Sequence, residues 1–160
     1  MNQTIPISDI AEFMTRRVVD VFDTMLSLKA IPVPKANVQL FSERVTGSGG
    51  FAGRKVVGTV YLHLSLPLAN QMTAAMAGLA PHEIPDDSAV NDAVGEISNM
   101  LNGGLKSWIC DHGIKCVSTT PTIFRGAGFT IEPLKEIQRL RLVFDCGDDR
   151  FAVEIHIKFN

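Results

Sequence analysis

The chain has 160 residues, 46% of them hydrophobic, which is enough to bury one ordinary core, and a formal net charge of −2. Its 15 lysines and arginines are scattered, so it lacks the basic field that nucleic acid as a partner would require. Cys110, Cys116 and Cys146 are odd in number and form no C-x-x-C pair, which argues against a disulfide framework and a zinc site and fits a reducing cytoplasm.

The opening "MNQTIPISDIAEF" has no basic region followed by an apolar run, and no secretory signal is expected there. From Ser8 to about Lys29, Ile10, Phe13, Met14, Val18, Val21, Phe22, Met25 and Leu26 recur at three- and four-residue steps. An amphipathic helix is predicted, with Ser8 as its N-cap and Pro32 and Pro34 enforcing its stop. Two β-rich runs follow, "NVQLFSERV" and "RKVVGTVYLHL", separated by "TGSGGFAG", and predict a hairpin with a glycine-rich loop. Residues 56–82 carry no formal charge at pH 7, but Thr59, His63, Pro67, Asn70, Gln71 and Thr73 interrupt them, so no membrane span is expected.

"SLPLANQMTAAMAGL" reads as a short helix, with Ser65 before it, Pro67 near its first position and Gly78 just past its end. The polar linker "APHEIPDD" leads into a third helix, expected to start near Asp86 to Ser88 and stop before Gly113. Beyond it the chain turns to strands. "LRLVFDC" and "RFAVEIHIKF" flank "GDD" as an antiparallel hairpin. In the last run Phe151, Val153, Ile155, Ile157 and Phe159 share one face and Ala152, Glu154, His156 and Lys158 the other. Left as a bare edge, this strand would be an aggregation hazard, removed by burial inside a sheet or by pairing with a second copy. The element order predicts an α+β fold: one domain, residues 1–160, with about three helices on one face of a mostly antiparallel sheet.

Most candidate chemistry fails on spacing. "GSGGFAGRK", residues 47–55, has the glycine content of a phosphate-binding loop, but it lies between strands, lacks a G-K-[ST] ending and is followed by no helix. No G-x-S-x-G elbow is present, and His63, His82, His112 and His156 share no ligand spacing, so no metal site is expected. Glu83, Asp86 and Asp87 precede a helix, where carboxylates ordinarily complement the macrodipole.

The third helix, "DAVGEISNMLNGGLKSW", is different. At about 100° per residue, Val90, Ala93, Val94, Ile97, Met100, Leu101, Leu105 and Trp108 fall in one apolar sector, and Asp92, Glu96, Asn99 and Gly103 lie roughly opposite. Glu96 and Asn99 are neighbours at i and i+3. Gly95, Gly103 and Gly104 each weaken the helix by about 1 kcal/mol relative to alanine, unless something approaches closely. Gly104 points toward the apolar sector, where tight packing explains it. Gly95 and Gly103 point away, toward either a solvated face or a recognition face.

The run "DAVGEISNMLNGGLKS" resembles the signature of the CheX, CheC and FliY phosphatases of bacterial chemotaxis, and is most similar to CheX. Asp92, Glu96 and Asn99 match its pattern. The similarity extends to "EFMTRRVVDVFDTML", "RKVVGTVYLHLS", "MAGL" and "NMLNGGLKS". Pro121 stands one residue closer to Asn99 than the pattern has it, and the acid–amide pair occurs once.

The resemblance implies a hydrolase acting on the aspartyl phosphate of a CheY-like response-regulator receiver. Asn99 would orient the attacking water and Glu96 would pair with the receiver's lysine. On the spacing of the residues themselves, Asp92, Gly95 and Gly103 would then form a contact face bare enough to enter the receiver's cleft. The resemblance also implies a homodimer, and no cofactor of the chain's own, since Mg2+ comes with the receiver. The alternative is a receiver-binding or flagellar-switch adaptor that kept the fold without hydrolysis.

Overall fold

The computed structural model describes residues 3–34 and 43–160. Helix α1, Ile7–Leu26, buries Ile10, Met14, Val18, Val21, Phe22 and Leu26, the face that periodicity predicts. Its ends differ from the expectation. The amides of Asp9 and Ile10 donate to the Pro6 carbonyl, so Pro6 opens the helix, and the Ser8 hydroxyl is turned to the Asp9 carboxylate. At the other end Ser27 takes a left-handed conformation and its amide closes on Asp23, so the helix stops well before Pro32.

Strand β1, Ile31–Pro32, is followed by β2, Glu43–Ala52, and β3, Val56–Ser65. The expected strand over "NVQLFSERV" falls partly on residues 37–42, outside the described residues. The glycine-rich loop is corrected: "TGSGGFA" lies within β2, paired with β3 as far as Ala52↔Val57, and only residues 53–55 turn. Close packing explains the glycines better than turning does. A Cβ at Gly47 would stand 2.0 Å from Ser98 Oγ, and one at Gly49 would stand 3.0 Å from the Asn102 side chain. These two positions let a helix sit almost on the strand's main chain.

That helix is α3, Asp87–Asp111, reached through α2, Leu66–Ala77, and a short 3-10 turn, Pro81–Glu83. Ser65 caps α2 by accepting from the Leu68 amide at 3.2 Å, and Gly78 ends it in the left-handed region, as expected. Asp86 caps α3 by accepting from the Ala89 amide at 3.0 Å. Strands β4, Val117–Ser118, β5, Thr122–Ala127, β6, Gln138–Cys146, and β7, Asp149–Phe159, complete the chain. The fold is α+β, with three α-helices and a seven-stranded antiparallel sheet among the described residues, in the order β1-β6-β7-β3-β2-β4; β5 pairs with β2 beside β4.

Strand β7 is central, between β6 and β3. Burial inside the sheet therefore removes the edge hazard, and the bare-edge argument for a second copy does not apply. Both faces of β7 are buried, so the expected alternation of apolar and polar residues does not separate core from solvent. The inner face joins Phe22, Phe144, Phe151, Leu62 and Ile97 in the core, with the rings of Phe22 and Phe151 stacked 4.5 Å apart. On the outer face Glu154 is buried, accepts from Arg139 Nη2 at 3.0 Å and Arg141 Nη2 at 2.8 Å, and shares a hydrogen bond with His156 Nε2 at 2.8 Å. Burial alone would raise its carboxyl. The two guanidiniums outweigh burial and hold it below the usual carboxylate range. Arg44, whose guanidinium lies 3.8 Å over the Phe129 ring, and His63, bonded to Thr46 Oγ1 at 2.9 Å, share this outer face.

The seat beneath α3 gives a direct test. Gly47→Ala should destabilise the protein by about 2 kcal/mol through overpacking, and adding Ser98→Ala should recover part of that loss. Denaturant unfolding of both single variants and the double variant measures the coupling. Additive effects would mean that Gly47 and Ser98 do not set the approach.

Candidate functional site: the exposed stripe of helix α3

Helix α3 is fixed from below. Val90, Val94, Ile97, Leu101, Leu105 and Ile109 are buried in the core, and Asn102 Nδ2 donates to the Gly50 carbonyl at 3.0 Å. Side contacts hold its ends. Arg125 of β5 donates to Asn91 Oδ1 at 2.7 Å and stands 3.7 Å from Asp87, and Trp108 stacks on Phe13 of α1 at 4.8 Å. Asp86 and Asp87 are thus used in capping and pairing, in keeping with a structural role for that acidic linker.

Above this seat Asp92, Glu96 and Asn99 are exposed in one stripe, as their spacing predicts. None of the three side chains makes a hydrogen bond or ion pair with another described residue. The glycines divide as their directions predict. A Cβ at Gly103 would meet nothing within 4 Å, and one at Gly95 only Ile123 Cδ1 at 3.9 Å; one at Gly104 would stand 2.5 Å from Arg17 Nε. Gly104 therefore serves packing of α1 on α3, while Gly95 and Gly103 leave open space beside the acid and the amide.

Sequence reasoning missed the underside. Ser98 and Asn102 are one turn apart and buried, just beyond the edge of the sector read as apolar. Their signal was present as two polar residues at i and i+4, matched by glycines two apart in the strand beneath. Pro121 lies between β4 and β5, away from the stripe in the chain order. No group of three or more His, Cys, Asp or Glu among the described residues could hold a metal ion, and no described helix is long and apolar enough to cross a membrane. Cys110, Cys116 and Cys146 are free thiols.

The geometry defines a class first: an α+β protein that displays an uncommitted carboxylate and amide one helical turn apart on the exposed face of a rigidly seated helix. The model of the chemotaxis phosphatase CheX family matches residues 45–145, well over half of the chain, and the protein belongs to that family. Among solved structures it is similar to a chemotaxis protein CheX from Vibrio vulnificus, with 25% identity and a TM-score of 0.81 over 97% of this chain and 100% of that one. A CheX from Desulfovibrio desulfuricans gives 26% identity and a TM-score of 0.78, covering 94% and 99% of the two chains. The Borrelia burgdorferi complex of CheX with CheY, BeF3 and Mg2+ matches at 21% identity and a TM-score of 0.73, over 92% and 97%, a likeness of fold. No curated protein matches the chain by sequence.

Proposed function

We propose that the protein is a cytoplasmic phosphatase that accelerates hydrolysis of the aspartyl phosphate on a CheY-like receiver. The observation that carries this reading is the free Glu96 and Asn99 side chains on the exposed stripe, beside the open spaces at Gly95 and Gly103. Family membership supports it, as does the solved association of a CheX with CheY in Borrelia.

Phosphoryl transfer to water passes through a loose transition state, so positioning and electrostatics do nearly all the work. The receiver brings its own Mg2+ and lysine. What this chain adds is an in-line water. The Asn99 amide offers a donor and an acceptor and stays neutral at physiological pH, which suits it to hold that water against the phosphorus. Glu96, one turn away, pairs with the receiver lysine and keeps Asn99 in register, while Asp92, Gly95 and Gly103 form the contact face.

The test is the lifetime of phosphorylated receivers, loaded chemically, with and without the protein. At least one CheY-like receiver should lose phosphate faster. Glu96→Ala should raise the KM for that receiver about tenfold, or about 1.4 kcal/mol, and unchanged KM and kcat would remove Glu96 from the mechanism. Binding without acceleration would instead identify an adaptor. On the likeness to CheX we also expect a homodimer, which sedimentation of the purified protein in the analytical ultracentrifuge would establish or refute.

A further inference from the structure

Beside the stripe runs a groove of about 470 Å³ between α1 and α3, lined among others by Phe13 and Arg17 of α1 and by Asn99, Met100, Gly103 and Trp108 of α3. Its wall is the stacked Phe13–Trp108 pair, and its floor is bare because Gly103 carries no side chain. Arg17 crosses over Gly104 and donates to the Met100 carbonyl at 3.2 Å. Its buried Nε has no hydrogen-bond partner, and the guanidinium makes no ion pair with any described residue.

We propose that this groove is the second half of the receiver-docking surface, and that it seats a receiver segment presenting an aliphatic side chain to Phe13 and Trp108 and a carboxylate to Arg17. The inference rests on the phosphatase reading above. Its first support is continuity, since Asn99 lines both the stripe and the groove. Its second is size. At about 1.5 Å per residue, Gly103 and Ser107 lie only about 6 and 12 Å along the helix from Asn99. A partner of ordinary footprint, about 800 Å² per side, covers a patch about 16 Å in radius, so a domain that takes in the Asn99 side chain also covers the groove.

Charge is the third support. A phosphorylated receiver site is anionic, and Arg17 is an unpaired cation at the Asn99 end of the groove, with Asp111 among the lining residues farther along α3. A charge so placed favours encounter with such a partner and selects among receivers by what lies opposite it. The groove thus supplies partner choice, which a water-orienting amide cannot.

Two variants test the proposal on a receiver whose phosphate loss the wild-type protein accelerates, activated with beryllium fluoride and Mg2+ for binding. At Gly103 a Cβ meets nothing within 4 Å, so Gly103→Trp can place its indole in the groove against Phe13 and Trp108, and replacing a helical glycine does not weaken the helix. It should bind the activated receiver at least tenfold more weakly while its melting temperature is maintained, with KM rising more than kcat falls. Arg17→Gln keeps a donor for Met100 and should weaken binding about fivefold at low salt, a difference that shrinks at 0.5 M NaCl.

Wild-type affinity in both variants would overturn the groove and remove Gly103 from the contact face, while leaving the chemistry assigned to Glu96 and Asn99 intact. Weakened binding by both, together with an Asn99→Ala variant that still accelerates hydrolysis, would keep the groove and overturn the assigned chemistry. If the wild-type protein accelerates phosphate loss from no receiver, both fall.

Discussion

Asn99→Ala should abolish the acceleration of receiver dephosphorylation, by about a hundredfold or more, while leaving the protein folded. The size follows from what the amide is asked to do. A water held in line and polarised at both ends makes the reaction effectively intramolecular, and misplacement by about 1 Å is worth about a hundredfold in rate. Alanine removes both the donor and the acceptor, so no partial function remains. The fold should not suffer, because the Asn99 side chain is exposed and bonds to no described residue, and the position is in a helix interior where alanine is the better former. Decay of a chemically phosphorylated receiver measures the effect, with thermal unfolding beside it. A well-folded variant that shortens the phosphate lifetime as wild type does would exclude Asn99 from the mechanism.

The second large effect is on stability in acid. His63 is fully buried, and its imidazole is pushed down to about 4, first by burial; the Glu154 charge opposes this, and Arg44, Arg141 and Arg139 reinforce it. Between this value and about 6.5, its value in an unfolded chain, the unfolded state binds the proton and the native state does not. Stability therefore rises with pH across that window. The contribution is fully present above about 6.5 and is lost as the pH falls toward 4, in all about 3 kcal/mol, of which about 2 kcal/mol is gone by pH 5.

Glu154, held below the usual carboxylate range, adds a loss in a lower window, since its contribution is present above the unfolded value and disappears as the pH falls through the folded one. Urea unfolding at pH 7, 6 and 5 should show the decline, and His63→Asn should flatten the part above pH 5. An equal slope in wild type and variant would assign the acid lability elsewhere.

Much of this molecule was legible in the sequence, and the reasons differ between its parts. Helix α2 was marked by Ser65, Pro67 and Gly78, and α3 by Asp86, because capping is local chemistry written in single residues. The Glu96–Asn99 stripe was legible because helical spacing sets direction. The hairpin of β2 and β3 was legible, but the glycine-rich part of β2 was not, since glycines read as turns when their real partner, α3, is some fifty residues away. Burial of Glu154 and His156 was hidden for a similar reason: alternation identifies two faces but not what covers each, and here the residues that meet them come from β6 and β3. Ser8 failed as a cap because the helix opens two residues earlier, at Pro6, whose carbonyl accepts from Asp9 and Ile10 and leaves Ser8 inside the first turn.

The glycines of β2 also bear on how the proposed chemistry would respond to change. Ordinarily a helix rests on a sheet through a cushion of interlocking side chains, and a substitution in that cushion raises, lowers or tilts it. Over Gly47 and Gly49 the cushion is missing, and Ser98 and Asn102 meet the strand's backbone itself. The reach of Glu96 and Asn99 above the sheet is thus gauged by peptide geometry, which few substitutions elsewhere can alter. Drift in the rest of the core would be felt as lost stability long before it was felt as lost alignment.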